Sequence, residues 1–153
     1  MARKPKILRR FDAMLTDEPT LAEAATLLAD IDPAMAEIMQ RAGPPPLRKS
    51  EPGFRGIARI IVGQQVSVAS AAAIWNRTVA GLDPLTPETV LAASEETLRA
   101  CGLSAPKMRT LRAVAEAIVT GSLPLDTLHA LPADEAHRLM IAVKGIGPWT
   151  ADI

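Results

Sequence analysis

Apolar residues recur along this chain at the three- and four-residue intervals of helices, and proline, glycine and small capping residues separate the runs. Thr20 and Glu23 have capping-box spacing and open a helix with Leu21, Ala24, Leu28 and Ile31 on one face. Asp32-Pro33 starts a second helix, which Gly43 ends, and Pro44-Pro45-Pro46 follows as a stiff extended spacer. A third helix is expected over about 54–61, with Ile57, Ile60 and Ile61 inward, until Val62-Gly63-Gln64-Gln65-Val66 interrupts it. Ser67 then caps an apolar helix through Ile74, Trp75 and Val79, stopped by Gly81. Thr86-Pro87-Glu88 and Ser94-Glu95-Glu96 each open a short helix, the second closed by Gly102. Ser104-Ala105-Pro106 opens a longer one to Thr120, with Leu111, Val114, Ala115 and Ile118 on its inner face. A turn around 126–130 leads to a helix over 133–142, then to a hairpin, then to Pro148 as the first residue of a last helix. No run of alternating β-branched residues and no internal repeat is present. The pattern predicts an all-α helical bundle, with an N-terminal arm and helices over 1–46 and a helical domain over 47–153.

Composition narrows the class. A length of 153 residues suits one core, and a hydrophobic content of 48% argues against disorder. No apolar run approaches the roughly 20 residues of a membrane span, and no secretory pattern follows the basic N-terminus. The one cysteine, Cys101, reads as a small buried helix-end residue. It excludes an internal disulfide, a cysteine-rich zinc site and a four-cysteine iron–sulfur cluster, and points to a reducing cytoplasm. The net charge of +0 does not advertise a nucleic-acid binder. Two basic stretches, Arg3, Lys4, Lys6, Arg9 and Arg10, then Arg99, Lys107, Arg109 and Arg112, read as solvated surface on charge alone. Any grip on DNA therefore relies on main-chain amides and helix ends as well as on lysines.

The chemistry concentrates in Val143-Lys144-Gly145-Ile146-Gly147-Pro148-Trp149-Thr150-Ala151. Gly145 and Gly147 let the backbone take positive φ and let a ligand come close. Pro148 suits the first position of a helix. The N–H groups of Gly147, Trp149 and Thr150 then face outward as an anion site, with Lys144 beside them. Such a site positions a phosphate without reading a base.

An amphipathic helix followed by this string closely resembles the helix-hairpin-helix motif of the base-excision DNA glycosylases, and most of all the bacterial 3-methyladenine DNA glycosylase II (alkylbase) branch. Three further blocks carry the resemblance: Phe54-Arg55-Gly56-Ile57-Ala58-Arg59-Ile60-Ile61-Val62-Gly63-Gln64-Gln65-Val66-Ser67, Gly102-Leu103-Ser104-x-x-Lys107, and Gly43-Pro44-Pro45-Pro46-Leu47-Arg48. It runs from about residue 20 to the last. It implies the glycosylase bundle ending at the hairpin, and hydrolysis of the glycosidic bond of alkylated purines in double-stranded DNA.

Residue roles follow from the resemblance. Gln65 looks like the wedge that fills the gap left by an everted nucleotide, with Gln64 supporting the turn and Ser67 beside it. Lys144, Gly145, Gly147, Trp149 and Thr150 correspond to the DNA grip. The main-chain carbonyls of Ile141, Val143 and Ile146 correspond to the family's monovalent-cation site; no other cofactor is implied, and no iron–sulfur cluster. Trp149 stands where bifunctional members carry a Schiff-base lysine, which implies a monofunctional hydrolase. Its indole would stack on a flipped cationic base. Trp75, mid-helix among alanines, reads as core, and His129 and His137 as surface.

The family's essential aspartate lies after the second hairpin helix, hence beyond Ile153. The expectation is a chain without its catalytic carboxylate and inactive as it stands. Asp152 is rejected for that role, because a carboxylate in the first turn of a helix is accounted for by the helix dipole. A full-length form is expected to be monomeric. A shortened one is expected to leave Leu21, Leu27, Leu28, Ile31 and Ile38 uncovered and to self-associate. The alternatives are a non-catalytic DNA-binding module, a glycosylase of the same fold for a different damaged base, and a helical interaction domain in which the hairpin is only a turn.

Overall fold

The computed structural model describes residues 15–153, so the basic cluster at residues 3–10 lies outside the described part. The chain divides into two compact units, Met1–Lys49 and Ser50–Ile153. All regular structure among the described residues is helical.

The first unit holds α1 (Glu18–Ile31) and α2 (Pro33–Ala42), packed on each other. α1 starts earlier than the Thr20 spacing predicts. Asp17 is its cap, accepting a bond from the Thr20 amide at 2.8 Å, and Pro19 occupies the first turn. Asp32 caps α2 through the Ala34 amide at 2.9 Å, and Gly43 ends it. Leu28, Ile31 and Ile38 are about half exposed. Leu21 and Leu27 are half-buried. Leu21, Leu28, Met35 and Ile38 line an apolar groove of about 460 Å³ within this unit.

The second unit is built on α3 (Gly53–Gly63) and α7 (Ala105–Val119). α4 (Val68–Gly81) packs on α3, and α5 (Pro87–Ala92) and α6 (Glu95–Ala100) pack on α7. Ile61 and Val62 of α3, Leu98 of α6 and Leu111 and Val114 of α7 are fully buried, each stabilising the fold by about 1.5–3 kcal/mol. Ile57 and Ile61 point inward as expected, but Ile60 is half-buried and is not part of this core. Trp75 is buried, as its mid-helix place predicts, and Arg55 and Arg59 lie over its ring at 5.7 and 5.6 Å. A short 3-10 turn, Leu125–Ala130, leads to α8 (Ala133–Ala142) and, after the hairpin, α9 (Pro148–Asp152). No described helix is long and apolar enough to cross a membrane.

The second basic stretch is solvated only in part: Arg99 and Arg109 are exposed, whereas Lys107 and Arg112 are half-buried. Lys107 donates to the Val62 carbonyl at 2.7 Å and Arg112 to the Ala93 carbonyl at 2.7 Å. Arg99 pairs with Glu95 at 2.6 Å. Arg77, outside that stretch, donates to the Cys101 carbonyl at 3.1 Å. Lys107, Arg112 and Arg77 each satisfy a carbonyl at or beside the end of another helix, where partial negative charge accumulates.

Candidate nucleic-acid interface

Three segments distant in sequence meet, together with Ile74 of α4, around one cleft of about 470 Å³ in the second unit. They are the turn after α3 (Gln64, Gln65), the start of α7 (Ser104, Lys107, Thr110) and Gly145 of the hairpin. No carboxylate lines it.

The turn after α3 has a definite shape. Gln64 ends the helix in an extended conformation, and Gln65 follows at φ 54, an uncommon left-handed backbone for a side chain of its size. Gln65 is exposed. Gln64 turns inward instead, and its Nε2 donates to the Thr150 hydroxyl at 2.8 Å. Ser67 caps α4: its Oγ accepts from the Ser70 amide at 3.2 Å and donates to the Ser70 hydroxyl at 2.9 Å. The Lys107 ammonium is tied to the last core residue of α3, and burial pushes its pKa below the usual lysine value.

The hairpin joins α8 to α9, and the two helices pack on each other. Of its two glycines, one meets the expectation and the other does not. Gly145 has φ 95, and a Cβ there would run first into Thr110 Oγ1 and then into its Cβ and Cγ2 at 3.0 Å. Conformation and close approach therefore both demand glycine at 145. Gly147 is not at positive φ. It is extended (φ −94, ψ 170), and a Cβ there would meet nothing within 4 Å. Its bareness leaves open space on the outer side of the hairpin. The Thr150 amide is also not free, since it bonds the Gly147 carbonyl at 3.0 Å as the last turn tightens. The outward amides are those of Gly147 and Trp149, which have no backbone partner.

Lys144 is exposed on the hairpin. Trp149 is 66% exposed, which rules out a core-anchor role. His137 lies partly exposed at the surface, and its Nε2 stands 3.3 Å from Asp152 Oδ1, so Asp152 joins α9 to α8. The carbonyls of Ile141 and Ile146 accept no bond among the described backbone pairs. That of Val143 accepts one, from the Ile146 amide at 3.0 Å. Three oxygen donors with spare lone pairs match the hard-ligand demand of a small cation. No group of three or more metal-binding side chains occurs among the described residues.

Two features of the site escaped the sequence reading. Thr110 sits under the hairpin glycine, and Gln64 bonds across to α9. Both depend on packing between segments far apart in sequence, for which no local pattern exists.

Residues 58–149 match the family model described as "HhH-GPD superfamily base excision DNA repair protein". The chain is 34% identical over 112 residues to DNA-3-methyladenine glycosylase 1 of Schizosaccharomyces pombe, covering 70% of this chain and 48% of that protein. It is 33% identical over 112 residues to DNA-3-methyladenine glycosylase 2 of Escherichia coli, covering 65% of this chain and 38% of that protein. The solved structure of the Schizosaccharomyces pombe 3-methyladenine DNA glycosylase in complex with abasic DNA superposes with a TM-score of 0.74 at 29% identity, over 85% of this chain and 66% of that one. The chain thus spans about half the length, or less, of these two curated relatives.

Proposed function

The chain belongs to the HhH-GPD superfamily of base excision DNA repair proteins, and from that premise we propose that it serves as a DNA N-glycosylase for alkylated purines of the 3-methyladenine type, monofunctional and without a lyase step. The observation that carries this reading is the hairpin itself. It is bare at Gly147, with two unpartnered amides, a lysine and an exposed indole on one short segment.

In this reading the duplex lies on the hairpin. Gly147 and Trp149 donate main-chain N–H to a phosphate, and Lys144 adds charge. Gly145 shapes the turn, and Thr150 holds Gln64, the support of Gln65. Ser67 fixes the start of α4 next to that turn. Gln65 is the group that enters the space vacated by an everted nucleotide. Trp149 stacks on the everted base. A base made cationic by alkylation is attracted to the indole face and is already a good leaving group, so a stacking pocket with little acid assistance suffices. A monovalent cation held by the carbonyls of Ile141, Val143 and Ile146 would bridge their dipoles to the phosphate. Asp152, paired with His137, is not assigned to the stabilisation of the sugar cation.

The test pairs binding with trapping. Duplexes carrying an abasic analogue or 3-methyladenine are titrated against an undamaged duplex over a salt series, and borohydride is added to a second set. Expected are tighter binding of the damaged duplexes, affinity falling steeply with salt, and no covalent adduct. Equal affinity for damaged and undamaged DNA would overturn the assignment to damage. A borohydride-trapped adduct would overturn the monofunctional chemistry. Release of free alkylated purine with the phosphodiester backbone intact is the reaction assigned.

A further inference from the structure

The third sequence block, Gly102-Leu103-Ser104-x-x-Lys107, has no part in the hairpin, yet its residues line the cleft next to it. We propose that this cleft holds one sugar–phosphate unit of a DNA strand, gripped separately from the phosphate on the hairpin. The proposal rests on the DNA-binding reading above and names a further contact for it.

The first observation is the start of α7. Ser104 stands at the N-cap but makes no side-chain cap bond. The amides of Ala105 and Lys107 have no backbone partner, and Pro106 has none to offer. Ser104, Pro106 and Lys107 line the cleft, the Lys107 ammonium is held in place there, and no carboxylate lines it.

The second observation is Thr110, one and a half turns further along. Thr26 and Thr78 within helices, and Thr120 at the end of α7, return their hydroxyls to the carbonyl four residues back, at 2.8, 2.9 and 2.8 Å. Thr110 does not, although it is only 9% exposed. No side-chain oxygen or nitrogen among the described residues is both sealed from solvent and unpartnered. The Thr110 hydroxyl, which stands against Gly145, therefore reaches solvent in the cleft that both residues line. A hydroxyl that reaches the cleft and has no protein partner is free to bond a ligand oxygen there.

Spacing decides the kind of ligand. Ser104 and Thr110 lie about 9 Å apart along the helix axis, too far for one phosphate to serve both. A phosphate at the amides with an adjoining sugar or phosphate oxygen on Thr110 spans that length. The volume suits a group larger than a single ion.

The experiment uses the full chain with inorganic phosphate followed by amide NMR, and an abasic-analogue duplex followed by affinity. Phosphate is expected to shift the amides of Ala105 and Lys107. Thr110→Val is isosteric, so thermal unfolding should match the parent, while duplex affinity falls about tenfold, the scale of a hydrogen bond to a charged group. Combined with Gly147→Ala, the two losses should multiply, as separate contacts do. Phosphate shifts confined to residues 144–150, or a Thr110→Val chain that binds duplex as tightly as the parent, overturn the cleft and leave the function reading standing. A parent chain that binds no duplex overturns the function reading, and the cleft assignment with it.

Discussion

The Gln64 side-chain amide donates to the Thr150 hydroxyl at 2.8 Å, joining residues 86 positions apart. This single bond ties the turn after α3 to the second helix of the hairpin. Thr150 is almost fully buried, so loss of its partner is costly. Gln64→Ala and Thr150→Val are each predicted to destabilise the fold by about 1–3 kcal/mol. The double variant should lose less than the sum, with a coupling of about 0.5–1.5 kcal/mol in a denaturant-melt cycle. Strict additivity would mean that the two segments are not linked through this bond.

The two hairpin glycines should respond in opposite ways. Gly145→Ala places a methyl group at positive φ and against Thr110. Backbone strain and overpacking together predict a loss of about 2–6 kcal/mol, read as a lowered melting temperature. Gly147→Ala meets open space at an ordinary extended conformation, so stability should stay within about 0.5 kcal/mol. Its effect belongs to binding, because the new methyl group stands on the outer side, where a phosphate would approach. A Gly147→Ala chain that binds duplex as well as the parent would remove Gly147 from the grip.

What was legible in the sequence was local. Asp32, Ser67, Thr86 and Ser94 cap the helices they were expected to cap, because an N-cap bond spans only two or three residues. The range 133–142 matches α8 at both ends, set by Pro132 before it and by the helix-breaking hairpin after it. Even the miss at α1 was a choice between two oxygen caps three residues apart, Asp17 and Thr20, and Pro19 in the first turn favours the earlier one. The use of charge was not legible. Lys107, Arg112 and Arg77 look like solvent groups in the chain, yet they reach carbonyls 45, 19 and 24 residues away. Nor did the hairpin string reveal that Gly145 and Gly147 have different reasons to be glycine, since one reason lies in Thr110.

Lys107 offers a pH signature. Burial holds its folded pKa below the usual lysine value, so the charged form is disfavoured by folding. The unfolded state then binds more protons than the folded one between the lowered folded value and the ordinary lysine value of 10.5. Stability from this group is lowest when the amine is charged and rises with pH across that window. Parent and Lys107→Met chains compared over alkaline pH should show this upward contribution only in the parent. At neutral pH the variant should still be less stable, by about 1–3 kcal/mol, because the Val62 carbonyl loses its donor. A Lys107→Met chain as stable as the parent at pH 7 would show that water satisfies that carbonyl.

Trp149 separates function from packing most cleanly. At 66% exposure it contributes little to the core, whereas Trp75 is buried beneath two guanidinium groups. Acrylamide should therefore quench one indole strongly and the other weakly, and Trp149→Ala should abolish the strongly quenched component with little change in the unfolding midpoint. Binding should then show what the exposed ring is for. A cation–π contact is worth about 0.5–2 kcal/mol, so Trp149→Ala should weaken binding of a duplex with a cationic alkylated purine by roughly twofold to thirtyfold. Binding of a duplex with a neutral abasic analogue should change less, because no base is there to stack. If both duplexes lose affinity equally, Trp149 acts through the shape of the hairpin and the preference for cationic bases does not come from its ring.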